Sequence, residues 1–292
     1  MNAERLLAHY DQVADALDAI GRLRRFILDL AVRGKLVPQD PKDEPATELL
    51  KRLAMEKARL VKAGKIGKEK ALPPLSESDL IIDLPDGWAW TRLGDLSQLI
   101  TSGSRDWAKH YSSEGAIFVR MGNLSKGSYR LRLDNVQRVT PPSDREGTRT
   151  RLEAGDILIS ITGDVGMLGL IPEGFGEAYI NQHTAMVRPM PEVKGRFLAE
   201  LFRSSFAQAQ FSEPQRGIKN SFRLTDVTQF VVPLPSIGEQ RRIVAKIDEL
   251  MTVCNEFEAS LSDTTSTRRR LLDALLAEAL APVAAHEMET AQ

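Results

Sequence analysis

Hydrophobic residues recur at spacings of three and four near both ends of the chain. The N-terminal series is Leu6, Tyr10, Val13, Leu17, Ile20, Arg24, Ile27 and Ala31, with no proline between residues 4 and 36. The C-terminal series follows Pro235 and comprises Ile243, Ile247, Leu250, Cys254, Phe257, Leu261, Leu271 and Leu275. This spacing places side chains on one face of a helix. It predicts long helices over 1–36 and 236–282, with a disordered tail over 283–292.

The two helical series share a register. When the first is moved forward by 244 positions, Leu6 aligns with Leu250, Leu17 with Leu261 and Arg24 with Arg268. An internal duplication would produce this agreement. Two unrelated leucine-rich helices would also align in this way, so both interpretations remain open.

The residues between these series have a different pattern. From residue 84, glycine and proline become frequent, and short β-rich runs occupy 116–120, 156–161, 184–188 and 228–234. A helical pattern covers 194–211. This alternation predicts a mixed α/β domain over 84–235. Residues 37–83 are predicted to hold a short helix, over about 45–62, and a proline-containing linker. The predicted fold class is therefore α+β, with one globular domain flanked by helices that pack as a coiled-coil spacer.

Composition narrows the possible chemistry. The 292 residues carry 39 basic and 40 acidic side chains, so no global basic field attracts nucleic acid. One cysteine and four histidines exclude an internal disulfide and a Cys/His zinc site. No apolar run approaches about 20 residues, and the first residues lack a signal-peptide profile, which favours a cytoplasmic protein without a membrane partner. Glycine-rich nucleotide loops and the Pro-Pro-aromatic motif of an adenine methyltransferase are absent from the sequence, so we expect no catalytic residues and no metal site.

One alternative is a metal-dependent, sequence-specific nuclease. Asp164 followed by Glu192 and Lys194 has the spacing of such a site, although Pro191 and Gly195 flank the pair. His183 is expected to be a hydrogen-bonded structural histidine rather than a general base.

Two loops of the central domain combine basic and polar residues. Between Ser104 and Arg138, seven basic residues outnumber three acidic ones, and a second loop covers 214–222. Asparagine and glutamine can bond adenine, and arginine and lysine can bond guanine. A solvated charged surface would have the same composition. The predicted DNA-binding residues are Ser104, Arg105, Lys109, Tyr111, Arg120, Asn123, Lys126, Arg130, Gln215, Arg216, Lys219 and Asn220.

Four segments together resemble a known family. They are residues 23–41 with 48–52, LPDGWAWTRLG at 84–94, GDILISITG at 155–163 with INQH at 180–183, and VPLPSIGEQRRIVAKIDEL at 232–250. In this order they resemble the DNA-specificity subunits of type I restriction–modification systems.

The resemblance implies a target recognition domain at 84–235 held by spacer helices. Subunits of this family have no catalytic activity; they bind double-stranded DNA and dock a methyltransferase subunit, and through it a restriction subunit where one is present. S-adenosylmethionine is then expected on the methyltransferase and no cofactor on this chain. Family members usually carry two recognition domains, so the chain resembles a half-length form that binds one half of a bipartite target. A second copy would complete the arrangement by packing against the apolar residues of the two helical series, which we call the seam residues. A stand-alone DNA-binding regulatory protein is the remaining alternative.

Overall fold

A computed structural model of the chain describes residues 18–67, 71–142, 145–212 and 222–289. The chain divides into two compact units, one formed by residues 25–247 and the other by residues 1–24 together with 248–292. The predicted seam residues Leu6, Tyr10, Val13 and Leu17 lie outside the described residues.

The first two helices of the described residues lie within segments that are predicted to be helical. Helix α1 spans Ala19–Val32 and ends before Gly34, whose positive φ of 61° suits a residue without a Cβ atom, so the helix is shorter than the predicted end at 36. Helix α2 spans Ala46–Lys62 and begins directly after Pro45, which is extended (φ −58°, ψ 146°) and lies outside the helix at the N-cap position. Ala46, Leu49 and Leu53 bury one face of α2.

The first and last strands of the central segment pair with each other. Strand β1 (Ala89–Arg92) is antiparallel to β10 (Val231–Leu234), with Ala89 opposite Leu234 and Arg92 opposite Val231. The two ends of the segment predicted at 84–235 therefore lie side by side.

A four-stranded antiparallel sheet forms the centre of the 25–247 unit. Its order is β2 (Ser97–Ser102), β9 (Thr184–Pro189), β6 (Ile157–Ser160) and β7 (Leu168–Leu170). The strands predicted at 156–161 and 184–188 are confirmed. Every residue of β6 is buried, which explains why its first three residues, 157–159, are all apolar rather than alternating with polar ones.

A second four-stranded sheet has the order β3 (Tyr111–Ser112), β5 (Gln137–Val139), β4 (Ala116–Val119) and β8 (Ala178–Ile180). Strands β4 and β8 are parallel, and the prediction of a strand at 116–120 is confirmed. The ring of Trp107 packs on Phe118 at 5.1 Å and on Tyr179 at 4.9 Å between ring centroids. This aromatic cluster supports the loop that precedes β3.

Between Arg145 and Gln229 the described residues also form four short α-helices: α3 (Arg145–Arg149), α4 (Phe197–Arg203), α5 (Ser205–Ser212) and α6 (Leu224–Gln229). Helix α4 contacts β7, and α6 contacts β2. The helical pattern over 194–211, which predicts at least one helix, is confirmed and corresponds to two helices, α4 and α5. Ser204 is extended (φ −70°, ψ 159°), and its hydroxyl accepts a hydrogen bond from the backbone N–H of Ala207, so it ends one helix and caps the next.

The predicted strand at 228–234 is shorter than expected. Its first residues belong to α6, because the Asp226 carboxylate accepts a hydrogen bond from the Arg223 N–H and caps that helix.

Helix α7 spans Ile237–Glu289, 53 residues, which corresponds to about 80 Å at about 1.5 Å per residue. The predicted end at 282 and the disordered tail from 283 are wrong as far as Glu289. Pro282 removes one backbone hydrogen bond, but the alanine-rich sequence around it favours helix. In the unit that contains residues 248–289, Arg24 of α1 donates to Glu258 (2.6 Å) and Asn255 (2.7 Å) of α7.

Candidate nucleic-acid interface

A short 3₁₀ turn over Arg105–His110 presents two of the predicted cations. Arg105 and Lys109 are exposed, whereas Trp107 between them is buried in the aromatic cluster. Ser104 precedes the turn, and its hydroxyl accepts a hydrogen bond from the Asp106 N–H at 3.3 Å. The buried indole therefore fixes a turn whose positive side chains face solvent.

Backbone contacts hold this turn against the segment after β8. The Gly103 N–H donates to the carbonyl of Asn181 at 3.1 Å, and a Cβ atom at Gly103 would lie 2.1 Å from the carbonyl oxygen of Ile180. Only glycine permits this approach. Tyr111, at the end of the turn, is exposed and packs its ring on Phe118 at 5.6 Å.

Asn123 has a structural role. It is 4% exposed, its Oδ1 accepts from the Arg120 N–H at 2.9 Å, and its Nδ2 donates to the carbonyls of Arg132 (2.9 Å) and Asn135 (3.1 Å). Both polar atoms of the amide are occupied within the protein, so Asn123 shapes the loop that Arg120, which is half-buried, begins. Its predicted contact with DNA stays a prediction.

Lys126 and Arg130 are exposed on a loop that the sheet anchors through its backbone. Ser125 exchanges two backbone hydrogen bonds of 2.9 Å with Leu168, and the Leu170 N–H donates to the carbonyl of Tyr129 at 2.9 Å. The Ser125 hydroxyl closes the loop by donating to the carbonyl of Arg130 at 2.6 Å.

The side chain of Tyr129 ties the same loop to α4. Its hydroxyl donates to Oε1 of the buried Glu200 at 2.7 Å and accepts from Nε of Arg196 at 2.9 Å. Arg203 donates to the other oxygen of Glu200 and to the carbonyl of Gly127 at 3.0 Å. Burial, reinforced by the Glu200 carboxylate, raises the pKa of Tyr129 to about 12. The cations at 126 and 130 thus project from a rigid support.

The remaining predicted DNA-binding residues, Gln215, Arg216, Lys219 and Asn220, lie outside the described residues. They stay predictions.

His183 is hydrogen bonded through both ring nitrogens, to the Thr162 hydroxyl at 2.7 Å and to the Gln182 amide at 2.9 Å. This confirms the expectation of a hydrogen-bonded histidine.

The residues of the nuclease alternative take part in other contacts. Glu192 accepts from Arg52 of α2 at 3.0 Å, and the backbone carbonyl of Asp164 accepts from the Ser160 hydroxyl. In the described parts of the chain, no group of three or more His, Cys, Asp or Glu side chains could hold a metal ion.

The predicted seam residues fall into two groups. Ile27, Ile243 and Ile247 are buried within the 25–247 unit, so they are not available to a second copy. In the other unit, large apolar side chains of α7 are exposed: Phe257 by 45%, Leu271 by 60% and Leu275 by 62%. Leu250 and Leu261 are partly buried.

Comparison with known proteins identifies the family. The family model described as type I restriction modification DNA specificity domain matches residues 85–264, which is more than half of the chain. This chain belongs to the type I restriction–modification DNA specificity family. The match covers the segment between the paired strands β1 and β10 and the first part of α7.

The similar members of this specificity family are longer proteins. The EcoAI specificity subunit of Escherichia coli is 33% identical over 281 residues, which cover 94% of this chain and 47% of that protein. The EcoEI specificity subunit of Escherichia coli is 28% identical over 306 residues, covering 96% of this chain and 49% of that protein. The chain therefore spans about half the length of these curated relatives.

A solved structure shares the fold. A chain from the structure of type I R-M complex assembly and conformational transition is 20% identical, with a TM-score of 0.52, and the match covers 94% of this chain and 59% of that one. Within the described ranges of this specificity-family chain, no helix is both long and apolar enough to cross a membrane.

Proposed function

We propose that this protein is the DNA-recognition subunit of a type I restriction–modification complex. It binds one half of a bipartite target and positions an adenine methyltransferase subunit over that target. The observation that carries the proposal is the family match over 85–264, which contains the loops with exposed cations. S-adenosylmethionine is bound by the methyltransferase, and this chain supplies no catalytic residue.

The geometry of the loops supports a role in DNA sequence recognition. Phosphate contacts position a protein on DNA, and side chains at base edges determine its sequence preference. Arg105, Lys109, Lys126 and Arg130 are exposed on backbone that is fixed by Trp107 and Tyr129. Fixed backbone lowers the entropy cost of binding, because fewer conformations are lost on the DNA.

A second copy of the chain is part of the proposal. The chain matches about half of its longer relatives, and those relatives are specificity subunits. The exposed apolar side chains of α7 offer a surface that a second helix would cover. A twofold dimer would present two recognition domains to the two halves of a symmetric target. A restriction subunit joins the complex where the host has one, and the complex acts in the cytoplasm.

The proposal is tested by mapping methylated adenines in host DNA with and without the gene. We expect one bipartite, symmetric motif to lose its methylation when the gene is absent. Unchanged methylation, in a host that makes the protein and a methyltransferase that co-purifies with it, would contradict the proposal. A protein that purifies without any methyltransferase would instead be a stand-alone DNA binder.

The same purified protein tests the nuclease alternative. The proposal expects no cleavage of target DNA in the presence of magnesium. Cleavage that disappears in the Glu192→Ala variant would replace the proposed function with that of a nuclease.

A further inference from the structure

A cavity of about 330 Å³ lies beside the first turn of α7, within the 25–247 unit. Its walls come from residues 39–41 and 43–45, the turn at Asp86 and Gly87, and residues 236 and 239 at the start of α7. Five of the lining side chains are acidic and none is basic; the acidic ones are Asp40, Asp43, Glu44, Asp86 and Glu239. Such a wall repels phosphate, so this surface does not suit DNA.

Glu239 is the buried member of this group. It is 3% exposed, and its Oε2 accepts a hydrogen bond from Nε1–H of Trp88 at 2.9 Å. Among the described residues, no group donates a hydrogen bond to its other oxygen, Oε1. A buried carboxylate oxygen without a donor is costly, and such an atom calls for a specific partner.

The sequence around Glu239 makes this orientation unusual. Ser236 and Glu239 have the spacing of a capping box, in which the glutamate would turn back to the serine N–H. Here the Ser236 hydroxyl accepts from the Glu239 N–H at 3.0 Å, but the Glu239 side chain accepts from Trp88 instead. One oxygen of this side chain, which lines the cavity, is therefore left without a donor from the described residues.

The charges of the neighbouring acids are only partly balanced. Asp43 accepts from Arg242 at 2.7 Å and from the Ser236 hydroxyl at 2.8 Å, and Glu44 is paired with Arg52. Asp40 and Asp86 are exposed at the mouth of the cavity. The amino end of α7 contributes about half of a positive charge, which offsets less than one carboxylate. The cavity therefore favours a cation.

The ligand must bring its own hydrogen-bond donors. No metal-holding group of three or more His, Cys, Asp or Glu side chains occurs in the part of the chain that the structure describes, which argues against a bare ion. A guanidinium or ammonium group carries both positive charge and N–H donors. We propose that the cavity receives an arginine or lysine side chain of a protein partner. This rests on the proposed function in one respect: the partner would be the methyltransferase subunit.

The ligand chemistry is tested on the full chain without any partner. Nitrogen-15 spectra of the tryptophan indole groups are recorded during titration with N-acetyl-L-arginine amide, and the Trp88 signal is assigned with Trp88→Phe. Because Trp88 donates to Glu239, we expect its signal to move in a saturable way, while the signal of Trp107 stays in place. The same titration with the neutral citrulline analogue is the matched control and should move nothing.

Three results of this titration would overturn the proposal. If the Trp88 signal does not move, or if citrulline moves it as much as arginine, the cavity holds water only. If Glu239→Gln, which keeps an acceptor for Trp88 and removes the charge, responds to arginine as the native protein does, the ligand binds elsewhere.

The partner is tested by measuring the affinity of the native protein and of Glu239→Gln for the methyltransferase subunit. We expect the variant to bind about tenfold or more weakly, because a buried charge pair is lost. Glu173→Gln, which removes one charge from an exposed turn, is the control and should bind normally. Equal binding by both variants would overturn the inference and leave the proposed function intact, whereas a native protein that binds no methyltransferase would contradict the proposed function itself.

Discussion

Arg188 of β9 forms an ion pair with the fully buried Asp156, which directly precedes β6. Nε and Nη2 of Arg188 donate to the two carboxylate oxygens of Asp156 at 2.9 and 2.7 Å. Burial raises the pKa of Asp156, and the arginine opposes that rise. Arg188 also donates to the exposed Glu153 at 2.7 Å. The pair is saturated with contacts inside the protein, which fits a structural role.

Removing the arginine of this pair should destabilise the fold. Arg188→Met leaves the carboxylate of Asp156 buried without its cation, so we expect the free energy of unfolding to fall by about 3–5 kcal/mol. Urea denaturation measures the change. Glu153→Gln removes the solvent-exposed partner of the same arginine and should cost much less. Equal losses of unfolding free energy in the two variants would show that burial does not determine how much each ion pair contributes to stability.

Asn123 and Lys126 lie on the same loop and should respond to substitution in opposite ways. Asn123→Ala removes three hydrogen bonds of a buried amide and should lower the free energy of unfolding by about 1–3 kcal/mol.

Lys126→Ala should leave stability unchanged but weaken DNA binding, and it should reduce the slope of the affinity against salt concentration by about one ion. Urea denaturation and binding titrations at several salt concentrations measure both. Lys62→Ala, an exposed lysine of α2, is the control for DNA binding. A Lys126 variant with unaltered DNA binding would remove this loop from the interface.

At the scale of elements, the attachment to α4 of the loop that carries Lys126 and Arg130 should depend on pH. The pKa of Tyr129 is about 12 in the folded protein and near 10 in the unfolded chain. Because folding raises its pKa, Tyr129 contributes stability that is fully present below pH 10. This contribution is lost as the pH rises through 12. The native protein should therefore lose more stability between pH 10 and 12 than Tyr129→Phe does, measured by urea denaturation. Tyr179 also has a pKa of about 12, so a Tyr179→Phe background isolates the contribution of Tyr129. Parallel curves for the two proteins would contradict this assignment.

Some elements could be predicted from the sequence because their signals are local. Helix α2 starts directly after a proline and ends near Gly64, and strands β4, β6 and β9 are short β-rich runs between turns. The break at Ser204 could not be predicted, because a single hydroxyl replaces the backbone partner of the next helix. The same holds for α6, where the cap at Asp226 overrides a β-rich sequence.

The candidate sites show the same limit. Arg105, Lys109, Lys126 and Arg130 could be predicted as exposed, because arginine and lysine are rarely buried without a partner. Composition could not separate Asn123 from these cations, because a buried asparagine and an exposed asparagine that contacts a base are the same residue type. The acidic cavity could not be predicted at all. Its members come from residues 40–44, 86 and 239, which the pairing of β1 with β10 helps to bring together.

At the scale of the whole molecule, the exposed side chains of α7 predict self-association. Glutamate at Leu271 and Leu275, which lie four residues apart on one helical face, would place charge in an apolar contact. We expect the Leu271→Glu, Leu275→Glu variant to sediment as a monomer under conditions in which the native protein is a dimer. Leu133→Glu, at an exposed leucine of the 25–247 unit, is the control and should remain dimeric. A native protein that sediments as a monomer with its methyltransferase present would contradict the twofold arrangement.

The antiparallel pairing of β1 with β10 also bears on how new target preferences arise. Because Ala89 pairs with Leu234, the segment between these two residues begins and ends at neighbouring positions. A segment with neighbouring ends tolerates replacement by one of different length, because the helices before and after it need not move. Under the proposed function, a single recombination cassette bounded by these two strands would therefore change the target sequence and leave the flanking helices unchanged.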